Sequence, residues 1–136
     1  MSAILYLQRA ENELLVSQVL YDVSQNKHLQ QNVFKLEGEF TFYTSVIIHS
    51  YYAIFYCAKA LLYRQGITTK APFVHKKTLD AFEKYLVKTG ELDKDLLLVY
   101  RNISIVSRQL LHIFEEEKRK RGKFTYQTLP QANRLP

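Results

Sequence analysis

Arg108 and His112 are the two residues whose types and spacing most directly offer chemistry. Four positions apart on a helix, they lie on one face, one turn from each other. An imidazole beside a guanidinium is a general base with an adjacent anion clamp, a combination suited to RNA phosphodiester chemistry. The simpler reading is a partly buried imidazole and a surface guanidinium that only share a face. Downstream comes the run Glu115-Glu116-Glu117-Lys118-Arg119-Lys120-Arg121. It pairs Glu115 with Arg119, Glu116 with Lys120 and Glu117 with Arg121 at i,i+4, in the order that favours a helix by about 0.3–0.5 kcal/mol per pair. Lys118, Lys123 and Arg134 stay unmatched locally. Lys118, Arg119, Lys120, Arg121 and Lys123 are therefore also a candidate phosphate-binding end, with Phe124 and Tyr126 available to stack on bases or to pack back on the body.

Other chemistry is sparse. Four scattered glycines leave no room for a phosphate-binding glycine loop or a dinucleotide fingerprint. His28, His49, His75 and His112 are far apart and form no His-x3-His pair. A single cysteine, Cys57, excludes an internal disulfide and a Cys-clustered zinc site. Neither a metal centre nor a cofactor is expected. Cys57 sits in an apolar run and reads as a buried, inert thiol in a reducing, cytoplasmic setting.

The elements that must position these residues are helices. Over residues 2–33, Leu7, Ala10, Leu14, Ser17 and Tyr21 follow 3-4 spacing, with Leu15, Val19 and Val23 beside them. The polar stretch from Gln25 to His28 invites fraying, and Gly38 marks the stop. A second helix covers 41–65, with Gly66 as its C-terminal cap. Tyr52, Tyr56 and Tyr63 share one of its faces, as core or as a dimer interface. A third helix runs over 75–88 with Leu79, Phe82, Tyr85 and Leu86 on one side. A fourth begins near Leu92 or Asp93 and runs to Arg121, with Gly122 as its cap. Its stripe is Leu96, Val99, Ile103, Val106, Leu110 and Ile113. The sum is an all-α, up-and-down bundle of four main helices. Residues 1–122 form one domain. Residues 123–136 form a basic arm, or the approach to a short extra C-terminal element.

Composition agrees. The 136 residues are 47% hydrophobic and 24% charged, with only four Gly and three Pro, which disfavours an all-β sandwich and a disordered chain. The net charge is +6, but six basic and no acidic residues lie in 118–136, so the first 117 residues sum to zero. A uniformly basic nucleic-acid coat is thus disfavoured and a local patch is not. Arg9, Glu11 and Glu13 interrupt the first twenty residues, so no signal peptide is expected. Residues 40–58 carry no formal charge over a transmembrane length. Their four tyrosines, His49, Ser45, Ser50, Thr41 and Thr44 suit the centre of a bundle better than hydrocarbon, and no membrane partner is expected.

Two blocks carry a family resemblance. Ser50-Tyr51-Tyr52-Ala53-Ile54-Phe55-Tyr56-Cys57-Ala58-Lys59-Ala60-Leu61-Leu62, followed by Gly66-Ile67, resembles the second-helix signature of HEPN-domain proteins. His75-Lys76-Lys77-Thr78-Leu79-Asp80-Ala81-Phe82, with Val87-Lys88-Thr89-Gly90-Glu91-Leu92, resembles the next element of that family. With the flanking helices, the resemblance spans roughly residues 1–115. It implies an up-and-down bundle, usually a homodimer, in small prokaryotic proteins often paired with a minimal nucleotidyltransferase as a toxin–antitoxin-like module. Some members are metal-independent ribonucleases that use an Arg-x(4–6)-His motif at the dimer groove. Here Arg101-Asn102 resembles the start of that motif, which implies Arg101 and Asn102 as candidates for contact with a nucleotide or RNA, but Val106, Ser107 and Arg108 occupy the positions where the His belongs. The gap from Arg108 to His112 is three residues, one short of the motif.

The sequence thus leads to a dimeric HEPN-type protein, associated with RNA or a nucleotide, without an intact ribonuclease motif. Two alternatives stand beside it: a metal-independent ribonuclease using Arg108 and His112, and a non-enzymatic helical module whose basic end docks an acidic partner protein.

Overall fold

The structure is a computed structural model that describes residues 2–38 and 40–132, with side chains described through Lys120 except Phe114. It is all-α, with no strand among the described residues. Helix α1 spans Ala3–Gln25, α2 Tyr43–Arg64, α3 Val74–Phe82 and α4 Lys94–Ala132. A π-helical turn, Leu29–Val33, follows α1, and another, Glu83–Val87, extends α3.

The ends follow local chemistry. Ser2 caps α1, its Oγ accepting the Leu5 N–H at 3.3 Å. The expected first helix breaks at Gln25 because Asn26 takes an extended conformation and its side chain accepts the Leu29 N–H at 3.0 Å. Buried Gln30 then ties the connection together. Its amide donates to the Val23 and Phe40 carbonyls, and its Oε1 accepts the Phe40 N–H. Gly66 ends α2 as expected. At φ +79° it donates to the Tyr63 carbonyl, and Ile67 donates to that of Leu62, the paired bonds of a Schellman turn. Gly122 does not end α4. The helix runs through it, since an interior glycine costs about 1 kcal/mol relative to alanine without forcing a stop.

Helix α2 is the hub. By length and composition alone it is long and apolar enough to cross a membrane. In the bundle, α1, α3 and α4 all pack on it. Its inward residues Tyr51, Phe55, Ala58 and Leu62 join Phe82, Leu86, Val87, Leu97 and Tyr100 in the core. Close approach of α1 to α2 uses small polar residues: buried Ser17 donates to the Val46 carbonyl at 3.0 Å and lies 2.7 Å from Ser50 Oγ.

Three expectations about faces need correction. The core side of α4 is Leu97, Tyr100, Ser104 and Ser107, one residue round from the expected stripe. Leu96, Val99, Val106 and Ile113 are instead 40–57% exposed. Helix α1 behaves alike: Ala10, Ser17 and Val23 are buried while Leu7, Leu14, Leu15, Val19 and Tyr21 stay open. Cys57 is exposed, not buried, because α2 turns that position away from the core. The thiol is nonetheless held above its ordinary pKa, first by partial desolvation and then by the charge of Glu11, so it stays protonated at neutral pH.

Candidate functional site

The first turn of α3, the middle of α2 and the middle of α4 enclose a cavity of about 380 Å³. Tyr51 and Tyr52 come from α2, Phe73 to Lys76 and Leu79 from α3 and its lead-in, and Ser104, Ser107, Arg108 and Leu111 from α4. The serines are small where α4 crosses α2, and that leaves room for the cavity. Positions 104, 107, 108 and 111 fall on one helix face, at spacings of three and four.

A hydrogen-bonded string runs across this cavity. Tyr51 Oη lies 2.6 Å from His75 Nδ1. Burial pushes the Tyr51 phenol up to about 12, while the Ser104 side-chain hydrogen bond and the charge of Arg108 pull the other way. Tyr51 therefore keeps its proton at neutral pH. His75 is pushed below its ordinary range, first by burial and then by the positive charges of Lys59 and Arg108. It is thus neutral. With Tyr51 as the donor to Nδ1, the ring carries its proton on Nε2, a donor for whatever enters the cavity. Phe55 holds the ring by a 4.4 Å contact, and Tyr52 meets it edge-on at 5.8 Å. Ser107 is 1% exposed and its hydroxyl has no hydrogen-bond partner.

Phe73 forms the rim. It is 76% exposed and sits at φ +59°, ψ +38°. For a bulky residue that left-handed conformation costs on the order of 1–3 kcal/mol, an outlay that clusters at functional sites. Arg108 and Lys76 make no ion pair among the described residues, and no carboxylate lines the cavity.

The sequence candidates distribute as follows. Arg108 is in the cavity and His112, exposed on α4, does not line it. The imidazole that shares the cavity with Arg108 is that of His75, from another helix. Arg101 is engaged elsewhere, donating to Glu83 at 2.8 Å. Asn102 lines a separate groove of about 430 Å³ between α2 and α4, with Ile47, Ser50, Val99, Ile103 and Val106. Tyr56 and Tyr63 pack against Tyr6 of α1 at 6.5 and 6.2 Å, and Tyr52 stacks on Tyr56 at 6.2 Å. These tyrosines make contacts within the chain. In the charged run, Arg119 pairs with Glu116 at 2.7 Å and Lys120 with Glu117 at 3.7 Å, at i,i+3 rather than the expected i,i+4. The two spacings are comparably favourable on an exposed helix. Lys118 is exposed on this face. The side chains of Arg121, Lys123, Phe124 and Tyr126, and all of Arg134, lie outside the described residues. No group of three or more His, Cys, Asp or Glu side chains that could hold a metal ion occurs among the described residues.

The HEPN domain family model matches residues 3–118, from the first residue of α1 into the charged run of α4. This chain belongs to the HEPN domain family. The HEPN match encloses the whole cavity. A curated protein of Methanocaldococcus jannaschii named "Putative toxin MJ0142" is 42% identical over 55 residues, which is 40% of this chain and 35% of that protein. The match thus covers about a third of that relative's length. No solved structure matches this chain.

The sequence signal that could have found His75 lies in its own neighbourhood. Phe73-Val74-His75-Lys76-Lys77 opens a helix with no acidic residue in its first turn and no side-chain cap. Positive side chains at the positive end of a helix dipole are unfavourable unless an anion joins them.

Proposed function

We propose that this HEPN protein is a toxin-like module that binds RNA or a nucleotide as a homodimer, beside a nucleotidyltransferase partner, without cleaving RNA through an Arg-x(4–6)-His motif. The observation that carries the reading is the cavity bearing Arg108, Lys76 and His75 and no carboxylate, since a surface of that character attracts phosphate. Toxin-like character is supported by the name of the Methanocaldococcus jannaschii relative together with the family. A dimer is supported by the open apolar faces of α1 and α4 and by the groove containing Val99 and Val106, which a second copy would cover. The absence of motif cleavage is supported by the placement of His112 outside the cavity that holds Arg108.

A ribonuclease reading has one observation in its favour: Arg108 shares its cavity with a neutral imidazole, that of His75. Incubating the purified protein with total RNA, beside Arg108→Ala/His112→Ala and His75→Gln variants, separates the two. Bound but intact RNA is expected. Cleavage that disappears in either variant would establish the ribonuclease.

A further inference from the structure

We propose that a second pocket, between the first turn of α1, the C-terminal half of α2 and the connection 65–73, binds a monocarboxylate with an aromatic body. It is separate from the cavity of Arg108, with Val74 the one lining residue the two have in common. The inference goes beyond the RNA-or-nucleotide reading and does not depend on it.

A fixed cation forms the base of this pocket. Lys59 is half-buried, and its ammonium lies 5.1 Å from the ring centroid of Tyr6 and 5.6 Å from that of Phe55. It also donates to the Thr69 carbonyl at 3.2 Å. Contacts from α1, from α2 and from the connection therefore hold one nitrogen. The connection is itself fastened to α3. Thr78 Oγ1 donates to the Val74 carbonyl at 2.6 Å, so the hydroxyl proton between Thr69 and Thr78, also 2.6 Å apart, comes from Thr69. A charge already held in the free protein loses little further freedom when a ligand arrives.

What this cation lacks is a counter-ion. An ammonium has three N–H donors, and the Thr69 carbonyl takes one. Lys59 makes no ion pair among the described residues, and no carboxylate lines the pocket. Residues 40–79 contain Lys59, Arg64, Lys70, Lys76 and Lys77 without one Asp or Glu, so the chain around the pocket has no acid to supply. Charged groups drawn out of water are ordinarily paired.

The class of ligand follows from what surrounds Lys59. One interior cation, already shared with two ring faces and a carbonyl, matches a single negative charge better than a dianion. No guanidinium lines the pocket to grip a phosphate as a fork. The two remaining ammonium donors suit the two oxygens of a carboxylate. Lys70, exposed at the mouth, adds attraction from outside. The walls beside the cation are Tyr63, 38% exposed, with Ala71 and Val74, and they receive an apolar, planar body. A volume of about 430 Å³ falls within the range of small-molecule sites. The carboxylate chemistry is shared by a free aromatic acid and by an acidic side chain next to an aromatic one in a peptide.

NMR titrations of the full chain at low ionic strength test this, with benzoate, benzamide, acetate, inorganic phosphate and an acetylated, amidated Glu-Phe dipeptide as probes. Benzoate is expected to bind at least about tenfold more tightly than benzamide, its neutral counterpart of the same shape. Its ring protons should show nuclear Overhauser contacts to the rings of Tyr6 and Tyr63. Lys59→Met, which keeps the side-chain length, is expected to lose about tenfold or more in benzoate affinity. Tyr63→Ala should weaken benzoate and leave acetate unchanged. If Lys59→Met loses its helical circular dichroism, the benzoate-to-benzamide ratio and the Overhauser contacts of the parent decide alone. Tighter binding of the dipeptide than of benzoate would trace the physiological carboxylate to a protein side chain, and the reverse to a free acid; either result keeps the site. Equal affinity for benzoate and benzamide, Overhauser contacts to other residues only, or a folded Lys59→Met variant with the parent's affinity overturns the proposal. Phosphate that displaces benzoate more effectively than acetate does overturns the assignment to a carboxylate.

Discussion

Replacing Tyr100 by Phe removes one oxygen from the middle of the bundle, and its consequence follows from what that oxygen touches. Tyr100 is 1% exposed, its ring edge-on to Phe82 at 5.2 Å and 6.4 Å from that of Tyr51. Its hydroxyl has no hydrogen-bond partner. Burying such a group unpaired costs about 1–3 kcal/mol, while the ring contacts survive in Phe. Tyr100→Phe is therefore expected to stabilise the fold by about 1 kcal/mol. The same substitution at Tyr51 removes an oxygen that is bonded to His75 at 2.6 Å and to Ser104. It leaves the His75 nitrogen unsatisfied, and a loss of about 1 kcal/mol or more is expected. Urea unfolding followed by circular dichroism, at one protein concentration, reads both. With a slope of about 2 kcal/mol/M, the two midpoints should separate in opposite directions by about 0.5 M each. Midpoints that fall together would show instead that the Tyr100 oxygen is bonded.

Three further outcomes are expected. Tyr51 titrates near 12 in the folded protein and near 10 when unfolded, so its contribution is complete below pH 10 and is lost as the pH rises toward 12. Unfolding midpoints of Tyr51→Phe should decline less steeply over that window than those of the parent. Ala53, 7% exposed on α2, tolerates no charge: Ala53→Glu should cost several kcal/mol and abolish folding, and a stable helical variant would show that face to be open. Light scattering should report twice the 16.0 kDa chain mass at micromolar concentration, and Val106→Glu, on the open stripe of α4, should return the monomer with its helicity intact. A monomeric parent would remove the dimer.

The helices were legible in the sequence because their apolar periods are long and their boundaries carry glycine, as at Gly66. The facing of α4 was not. Leu96, Val99, Val106 and Ile113 form the more hydrophobic stripe, yet Leu97, Tyr100, Ser104 and Ser107 face α2. Small serines allow close packing where larger side chains would hold the helices apart, and hydrophobicity alone ranks them as surface. The candidate site was legible by halves. Arg108 stood out, but pairing it with His112 relied on sequence spacing. Its actual imidazole, His75, is positioned by Tyr51, a residue 24 positions earlier on another helix. Such a meeting is created by packing, and spacing along one helix cannot express it. The basic run after Glu117 proved partly self-paired, through Arg119 and Lys120, so the positive charge that matters most for the site lies at Lys76 and Arg108 instead.

The proposed function joins phosphate recognition at Arg108 to the absence of motif-driven cleavage. One experiment addresses both: a labelled RNA is incubated with the protein and with Arg108→Ala/His112→Ala, then divided between a native and a denaturing gel. The expected result is a shift by the parent, weakened in the variant, with full-length RNA recovered from both. Shortened RNA with the parent and intact RNA with the variant would contradict it.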